Sequence, residues 1–573
     1  MKNENKKFTL RLHVLFGFML LTAVFLIANL FRLQIRDGYL YREQADDQYI
    51  VSSRTFFERG SIFFVQKDGT RMTAAGNHSG YKVSINPSTF PTERAEEIYN
   101  KITSIIPVDR DKFFNVLNNQ KTRTYYEIAT RVEKEDGAEL KSLVGSAVDL
   151  HAEKWRTYPL NGLAAHLLGF LAFKDDDYAG RYGLERYYEN TLKREDPRLY
   201  ANFFARLFHG IQSGISSGVE LEGDIVTTID PQIQIFFENE LKKIQETWSS
   251  QSVGGIIMNP KTGEIYAMGS YPSFNNNTFE KSSLEVFQNP LVEKVYEMGS
   301  IMKPIIVSVG IDSGSINPQT FSYNDTGSVQ VGPSTIKNYD GRGRGVVDVQ
   351  EILNQSLNTG MVAISKKISK QNFRDYFEKF GLTSKTGIDL PNEVTPLSSN
   401  LKSNRDIEFA NMSFGQGIAL SPMAMARSLS VLANQGKLPQ PHLVKKIEYS
   451  NGLSKTFNYS DQPQVISPET SGEISRLLVN VFDAYTSNDD RLAKYRVAGK
   501  TGTAQVANPA GGYYQDRNLH SFFGYFPAYD PEFIVFLYTE YPKNIKYASQ
   551  TLIDPFKKTV DYLINYYDIP PDR

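Results

Sequence analysis

The residues of this 573-residue chain whose types and spacing most favour chemistry are Ser300 and Lys303. On a helix, positions i and i+3 share a face, so the serine hydroxyl and the lysine amine come within reach of each other. Pro304 follows directly, and proline is tolerated in a helix only near the first turn, which places Ser300 at a helix N-terminus. Free backbone N–H groups there can stabilise an oxyanion, and a desolvated, neutral lysine can act as a base. The pattern indicates a serine nucleophile activated by a lysine.

Two other short motifs complete a set that could surround one serine. Ser356 and Asn358 form an S-x-N triplet between two helical patterns, and Lys500-Thr501-Gly502 continues a strand pattern. None of the three motifs is specific alone, because each recurs in the chain. The other copies lack that context: Ser399 to Lys402, Lys261-Thr262-Gly263, Lys385-Thr386-Gly387, and the triplets that begin at Ser273, Ser322 and Ser398. Order and context therefore select the motifs at 300, 356 and 500.

The elements that must position these motifs are strands at both ends of a helical region. Residues 253–258 and 264–268 flank a turn and form a strong hairpin signature, and a helix with proline near its first turn begins at Pro231. The region from 270 to 480 is largely helix and loop. Further strands are predicted at 224–229, 495–497, 503–506, 521–526 and 533–538. This order predicts an α/β (α+β) fold with one mixed, mainly antiparallel sheet flanked by helices, plus a helical lobe.

A membrane anchor is predicted near the start of the chain. Leu12 to Phe31 is a run of 20 residues without a formal charge, closed by Arg11 and Arg32. As a helix rising about 1.5 Å per residue, it spans roughly 30 Å, the thickness of the hydrocarbon core of a bilayer. A cleaved signal peptide has a shorter apolar core and a small-x-small site, which residues 29–33 do not offer. We expect a cytoplasmic tail at 1–11, a single-pass anchor at 12–31 and an exported remainder.

The exported part is predicted to divide at a flexible junction. Residues 207–222 carry three glycines among serines, a composition typical of linkers. Residues 32–215 are mixed and polar, with charged stretches such as 131–141 that indicate solvated helices. Residues 216–573 hold all three motifs and form the predicted catalytic domain.

Composition excludes several classes of function. Lys and Arg total 63 against 64 Asp and Glu, so no global basic field exists to hold nucleic acid. The chain has no cysteine, which excludes disulfides, thiolate catalysis and sulfur-ligated zinc. The seven histidines include no pair at the spacing of a helical metal site. We expect neither a metal nor another cofactor.

The serial order of the three motifs resembles that of penicillin-binding proteins and β-lactamases. The chain looks most like a class B penicillin-binding protein, a monofunctional D,D-transpeptidase of peptidoglycan synthesis. Further stretches carry the resemblance: Arg59 to Ile62 with Asp68-Gly69, Arg156 to Pro159 with Ala165 to Phe170, Gly183-Leu184-Glu185, 259–265 and 413–417. The chain departs from the family pattern at Met298, Asn259, Leu357 and Phe63 to Val65. Leu357 is near the chemistry, and we expect its side chain to point away from the cleft.

The resemblance implies a penicillin-binding transpeptidase fold for residues 216–573 and an elongated α+β pedestal, similar to a dimerisation module, for residues 32–215. It implies that Ser300 attacks the penultimate D-Ala carbonyl of a stem peptide and releases the terminal D-Ala. The acyl group then passes to an amine on a neighbouring stem. Lys303 would take the serine proton, Ser356 would relay a proton to the leaving amine, and Asn358 would hold Lys303 and the substrate amide.

Further roles fall on the strand motif. Lys500 would keep Lys303 neutral and attract the substrate carboxylate, to which Thr501 and Thr503 would offer hydroxyls. Gly502 would leave room for the substrate backbone, and the N–H groups of Ser300 and Thr503 would form the oxyanion hole. The non-catalytic alternatives are that Lys303 is a solvated lysine in the first helical turn and that Ser356 and Asn358 are helix caps.

The implied partners are peptidoglycan stem peptides, on lipid-linked precursors or nascent glycan strands, and β-lactams as inhibitors. A membrane glycosyltransferase could dock on the anchor helix. A serine β-lactamase or a penicillin sensor would share the three motifs, but the anchor and the long N-terminal module favour a wall synthase. A hypothesis of another class is a non-catalytic scaffold that binds cell-wall partners through that module.

Overall fold

The structure is a computed structural model of the chain. It describes residues 16, 19–22, 25–26, 58–174, 177–194, 222–486, 492–508 and 511–573. The predicted cytoplasmic tail, most of the predicted anchor at 12–31 and the predicted boundary at 215/216 lie outside these ranges. Within them, no helix is both long and apolar enough to cross a membrane.

Strands and helices both occur throughout the described chain. The strands are β1 (Ile62–Val65), β2 (Arg71–Ile85), β3 (Tyr126–Val132), β4 (Asp149–Thr157), β5 (Leu171–Lys174), β6 (Asp177–Gly180), β7 (Gly223–Thr227), β8 (Ser252–Met258), β9 (Ile265–Tyr271), β10 (Ser322–Asp325), β11 (Ser328–Val331), β12 (Ser334–Lys337), β13 (Gly345–Asp348), β14 (Val444–Tyr449), β15 (Ser454–Thr456), β16 (Ala498–Ala507), β17 (Tyr513–Phe526) and β18 (Phe533–Glu540). The α-helices are α1 (Ala95–Thr103), α2 (Arg110–Asn119), α3 (Lys134–Val144), α4 (Ala165–Leu168), α5 (Gly183–Tyr187), α6 (Glu189–Leu192), α7 (Pro231–Trp248), α8 (Pro290–Glu293), α9 (Lys303–Asp312), α10 (Val349–Asn354), α11 (Asn358–Ser365), α12 (Lys370–Lys379), α13 (Asp406–Met412), α14 (Pro422–Ser430), α15 (Pro468–Thr486) and α16 (Ala548–Tyr567).

The chain divides into two compact units that do not follow sequence order. Among the described residues from 58 onwards, the first contains 58, 77–155 and 194, and the second contains 59–76, 156–174, 177–193, 222–486, 492–508 and 511–573. In the first unit, β2 pairs antiparallel with β3, from Tyr81 opposite Val132 to Ile85 opposite Tyr126. Its own hydrophobic core includes Val83 and Phe113, both buried. The charged stretch at 131–141 is only partly helical, since Arg131 belongs to β3.

The second unit is organised around a five-stranded sheet in the order β16-β17-β18-β8-β9. Every neighbouring pair in this sheet is antiparallel, and the parallel pairing of β1 with β7 belongs to a different sheet. The hairpin β8–β9 forms where the sequence predicts it. In its turn, the Asn259 side chain accepts from the backbone N of Lys261 (2.8 Å), and Gly263 adopts a φ of 82°.

Helices cover the two faces of that sheet. The N-terminus of α7 is fixed by Asp230, whose side chain accepts from the amide of Gln232 (2.9 Å), with Pro231 in the first turn. α7 and α16 bury one apolar core against the sheet, including Phe237 and Phe556. α9, α11, α14 and α15 belong to a larger core, which is the predicted helical lobe. α9 is buried around its whole circumference over residues 303–310 and serves as the central helix.

The predicted strand at 495–497 is wrong. β16 begins only at Ala498 because the backbone of Arg496 is engaged outside the ladder: its N–H donates to Asp572 Oδ1 (2.7 Å), and its carbonyl accepts from Ala528 N (2.9 Å). The strands predicted at 503–506, 521–526 and 533–538 fall within β16, β17 and β18.

Three N-terminal sequence signatures meet in a buried ion-pair network of the second unit. Glu185 Oε2 accepts from Arg59 Nε (2.6 Å), and Glu185 Oε1 accepts from Arg156 Nε (2.7 Å). Arg156 also donates to the carbonyl of Gly60 (2.8 Å). Burial alone would raise the pKa of Glu185, but the two guanidinium groups hold it below its usual value. The network joins segments that lie more than a hundred residues apart in sequence.

Candidate active site

Ser300 and Lys303 lie at the start of the central helix, as their spacing predicts. Gly299–Met302 forms one 3-10 turn, and α9 follows from Lys303 with Pro304 in its first turn. Ser300 is half-buried, whereas Lys303 has no exposed surface. The serine therefore lies near solvent and the lysine beneath it.

The turn that carries Ser300 lies directly against β16 and the segment 413–417. Gly299 adopts a φ of 64°, and a side-chain carbon there would lie 2.8 Å from the carbonyl oxygen of Thr503. A side-chain carbon on Gly415 would lie only 2.1 Å from the carbonyl oxygen of Gly299. Only glycine fits these two approaches, so the two residues allow the serine turn to pack against its neighbours.

The amine of Lys303 binds the S-x-N triplet. Nζ donates to the carbonyl of Ser356 (2.6 Å) and to Asn358 Oδ1 (2.8 Å), and it lies 3.1 Å from Ser356 Oγ. A neutral amine has two N–H donors, which match the two carbonyl oxygens, and one lone pair, which is left for a hydroxyl. No hydrogen bond within the described ranges joins Ser300 Oγ to Lys303 Nζ. The arrangement suits a lysine that works as a base.

Burial lowers the pKa of Lys303 well below its ordinary value, and the nearby positive charge of Lys500 lowers it further. A buried ammonium group would need a carboxylate to stabilise it, but the groups that contact Nζ are neutral oxygens. The neutral form is therefore favoured. The alternative of a solvated first-turn lysine is wrong, because the side chain is buried.

The S-x-N triplet forms the turn between α10 and α11. Ser356 adopts a φ of 53°, a backbone conformation that costs a residue with a side chain on the order of 1 kcal/mol or more. Asn358 is the first residue of α11, and Leu357 between them is fully buried in the core. The leucine therefore points away from the cleft, as expected, and the two polar side chains face Lys303.

Lys500 lies on β16 and is fully buried. Its Nζ donates to the hydroxyl of Tyr485 (3.2 Å) and to the carbonyl of Thr501 (3.2 Å). The Tyr485 hydroxyl also lies 3.3 Å from Thr501 Oγ1. Both groups that accept from this amine are neutral oxygens.

β16 is an edge strand of its sheet, and its side chains alternate between two faces. Thr501 and Thr503 are half-buried on one face, and Lys500 and Gly502 are buried on the other. Thr503 Oγ1 accepts from the backbone N–H of Ala548 (3.1 Å) at the start of α16, a contact that leaves its own O–H free to donate. The open edge of β16 can pair with an extended peptide.

The glycine of the strand motif is required by the packing of this chain. A side-chain carbon on Gly502 would lie 2.3 Å from Ser521 Oγ, 2.8 Å from the carbonyl of Met298 and 3.0 Å from Ile301. The missing side chain therefore makes room for the serine turn and β17, while the room expected for a substrate backbone stays a prediction.

Duplicate motifs occur in other local structures. Lys261-Thr262-Gly263 is the turn of the β8–β9 hairpin, and Ser399–Lys402 is a short 3-10 helix. Thr386 of the remaining K-T-G copy lies in a loop, where its amide donates to Glu393 (2.6 Å). No hydrogen bond within the described ranges joins these three copies to Lys303.

Sequence reasoning missed Tyr485, which ends the long helix α15 and touches both Lys500 and Thr501. It also missed the carbonyl of Lys337, which accepts from Asn358 Nδ2 (3.1 Å). Neither residue belongs to a motif, and a single sequence carries no local signal for such tertiary contacts.

The sequence matches two known domains. Residues 253–560 match the penicillin-binding protein transpeptidase domain, and residues 58–196 match the penicillin-binding protein dimerisation domain. The chain belongs to the penicillin-binding protein transpeptidase family.

Named relatives agree with this assignment, and a solved structure has a similar fold. Stage V sporulation protein D of Bacillus subtilis is 27% identical over 556 residues, which cover 96% of this chain and 84% of that protein. A probable peptidoglycan D,D-transpeptidase, PenA of Neisseria gonorrhoeae, is 25% identical over 568 residues, covering 98% and 93%. The fold is similar to that of penicillin-binding protein 2X from Streptococcus thermophilus, with a TM-score of 0.72, 21% identity and coverage of 89% and 80%.

Proposed function

We propose that this protein is a serine-type peptidoglycan D,D-transpeptidase that cross-links stem peptides through an acyl-enzyme on Ser300. The observation that carries the proposal is the position of Lys303 between the Ser300 turn and the S-x-N triplet. Lys303 is buried, its pKa is lowered, and the cationic Lys500 lies on the adjacent edge strand. This set contains a nucleophile, a base, a proton relay and an anion site within one family-matched domain.

In the first half-reaction, Ser300 Oγ attacks the carbonyl carbon of the penultimate D-Ala while Lys303 Nζ takes the hydroxyl proton. The backbone N–H groups of Ser300 and Thr503 stabilise the oxyanion. The peptide C–N bond then breaks, and Ser356 Oγ, which lies 3.1 Å from Lys303 Nζ, relays the proton to the leaving amine. D-Ala departs and an ester on Ser300 remains.

In the second half-reaction, the amino group of a neighbouring stem attacks that ester and gives its proton to the same base. The new amide bond forms, the ester C–O bond breaks, and Ser300 Oγ recovers its proton from Lys303. In the first half-reaction, Lys500, Thr501 and Thr503 hold the carboxylate of the terminal D-Ala, which leaves with that residue, while Asn358 orients Lys303 and the substrate amide. β-Lactams acylate Ser300 as mimics of the donor stem, and the reaction stops at the acyl-enzyme.

The proposed setting is the outer face of the cytoplasmic membrane. The uncharged run at 12–31 would hold the chain as a single-pass protein, with residues 32–215 as a pedestal and 216–573 as the catalytic domain. A membrane glycosyltransferase that supplies glycan strands is the proposed partner, and septal or lateral wall synthesis is the proposed process.

The test is covalent labelling of the full chain with benzylpenicillin. We expect one adduct by intact mass, located on the tryptic peptide 295–337, because Pro304 blocks cleavage after Lys303. Ser300→Ala is expected to lose the adduct and cross-linking in cells while the protein remains at normal levels.

Two outcomes would contradict the proposal. Loss of a fluorescent penicillin label within seconds would indicate a β-lactamase. Normal cell-wall synthesis by the Ser300→Ala variant would indicate a non-catalytic scaffold.

A further inference from the structure

The helix that begins with Asn358 has no cap of its own. Its N-cap residue, Leu357, carries an apolar, fully buried side chain that accepts no hydrogen bond from the first turn. The amide of Thr359 is satisfied from a distant segment, since it donates to Asn338 Oδ1 (3.2 Å). Asn338 directly follows β12, so a side chain 21 residues away takes the place of the missing N-cap.

A buried carboxylate holds Asn338 in that position. Asp325, at the end of β10, is only 2% exposed. Its oxygens accept from Asn338 Nδ2 (2.9 Å), from Thr359 Oγ1 (2.7 Å) and from the backbone amides of Gly327 (2.9 Å) and Arg344 (3.0 Å). Every contact is a donor, which is what a carboxylate needs when it is removed from water.

The same segment fixes the side-chain amide of Asn358. Asn358 Nδ2 donates to the carbonyl of Lys337 (3.1 Å), the residue before Asn338. A carbonyl can only accept, so the NH2 end of the amide must face Lys337 and the oxygen end must face Lys303 Nζ (2.8 Å). The position of residues 337 and 338 therefore decides which end of Asn358 meets the base.

We propose that Asp325, Asn338 and Thr359 are positioning residues that orient Asn358 towards Lys303. The inference rests on the proposed function, because it assigns these residues to the same site. None of the three touches Lys303 or Ser300 in the hydrogen bonds of the described residues, so they act through Asn358. They anchor the β12–β13 connection to the first turn of α11 and so hold the amide in its productive orientation.

The first test separates ligand affinity from the acylation step. In the full chain, Asp325→Asn and Thr359→Val are expected to lower the acylation rate constant for benzylpenicillin by about tenfold to a hundredfold, the usual cost of a small displacement of a reacting group. The dissociation constant of the noncovalent complex is expected to stay within about threefold of wild type. Asp340→Asn is the matched control: it makes the same change at an exposed residue of the same connection, whose carboxylate binds Arg344.

The second test asks whether the effect passes through Asn358. In an Asn358→Ala background, Asp325→Asn and Thr359→Val are expected to cause no further loss of acylation rate, since the residue on which they act is gone. Additive losses would overturn the inference, as would wild-type acylation rates in the folded single variants. If Asp325→Asn does not fold, Thr359→Val, which removes one hydroxyl and keeps the side-chain shape, carries the test.

The inference and the proposed function fail in different ways. A wild-type chain that benzylpenicillin does not acylate would refute both. Normal wild-type acylation together with additive losses would refute only the positioning role.

Discussion

At the scale of single residues, the site depends on two buried lysines with different tasks. Lys303 is surrounded by neutral oxygens, and its pKa is lowered by burial and by Lys500. Lys500 also has neutral partners, the hydroxyl of Tyr485 and a carbonyl. In the proposed mechanism, Lys303 accepts a proton and Lys500 attracts an anion.

The first prediction concerns the pH dependence of acylation. Only neutral Lys303 can accept the serine proton, and its pKa in the folded protein lies well below the ordinary 10.5. The acylation rate constant should therefore reach its plateau well below pH 10.5 and fall on the acid side, as the pH drops through the lowered pKa. Lys500→Met removes the positive charge and is expected to move this acid limb to higher pH. The rate constant is measured with benzylpenicillin from pH 5 to pH 9.

Lys455→Met is the control for that change, because it removes an exposed lysine on β15. It should leave the profile in place. An unchanged acid limb in Lys500→Met would show that the charge at 500 does not set the pKa of the base.

The second prediction concerns Tyr485. Tyr485→Phe keeps the ring and removes the hydroxyl that contacts Lys500 and Thr501. Loss of one such hydrogen bond costs about 0.5–1.5 kcal/mol, so we expect the noncovalent affinity for benzylpenicillin to fall about threefold to tenfold, with a smaller change in the acylation rate constant. Tyr562→Phe, which removes a hydroxyl bonded to the carbonyl of Gln232, is the control. Equal effects of the two variants would contradict a specific role for Tyr485.

At the scale of elements, the site depends on the close approach of β16 to the turn that carries Ser300. Gly502 permits this approach because a side chain would meet the carbonyl of Met298 and Ser521 Oγ. Ser521 Oγ also donates to the carbonyl of Met298 (3.0 Å), so a hydrogen bond joins β17 to the residue that precedes the serine turn. β16, β17 and the serine turn are thus in direct contact.

The third prediction follows from that packing. Gly502→Ala is expected to displace β16 from the serine turn, lowering the acylation rate at least about tenfold and the free energy of unfolding by about 1–3 kcal/mol. Gly472→Ala is the control, because Gly472 is exposed on α15 with no atom near its missing side chain. That change should be neutral or stabilising by up to about 1 kcal/mol. Normal acylation by Gly502→Ala would show that the approach is not required.

Elements and motifs of this site could be predicted because their signals are local. A few consecutive residues are enough to recognise the turn around Asn259, the helix α7 with its proline in the first turn, and the polar triplet between α10 and α11. The orienting contacts could not be predicted, since Tyr485 and Asn338 reach the site through tertiary packing. The segments that lie next to Gly502 could not be predicted either, because a strand pattern does not reveal which neighbour packs against each face.

At the scale of the whole molecule, the second unit is held together by buried charge as well as by apolar packing. Arg59 and Arg156 are almost fully buried, and both bind Glu185, which has no exposed surface. Arg59 also binds Glu189 (2.7 Å), so removing the charge of Glu185 takes one of two carboxylates from Arg59 and takes from Arg156 the carboxylate that it binds.

The fourth prediction is a large loss of stability on breaking this network. Glu185→Gln keeps the side-chain shape and removes the charge, and we expect the free energy of unfolding to fall by roughly 3–5 kcal/mol. Glu97→Gln removes a carboxylate from the exposed pairs with Arg94 and Lys101, and its effect on the free energy of unfolding should be much smaller. Urea-induced unfolding of the full chain measures both. Similar losses in the two variants would refute a structural role for the buried network.

The interleaving of the second unit has a consequence for biosynthesis. Arg59, Arg156 and Glu185 all leave the ribosome before residue 220, so their ion pairs can close on the nascent polypeptide. β1, in contrast, pairs with β7, its parallel neighbour, only after β7 has been translated, and α16 is translated more than 300 residues after β7. A gene fragment starting at codon 220 would therefore encode β7 without β1, and expression trials of the catalytic part should retain the upstream segments.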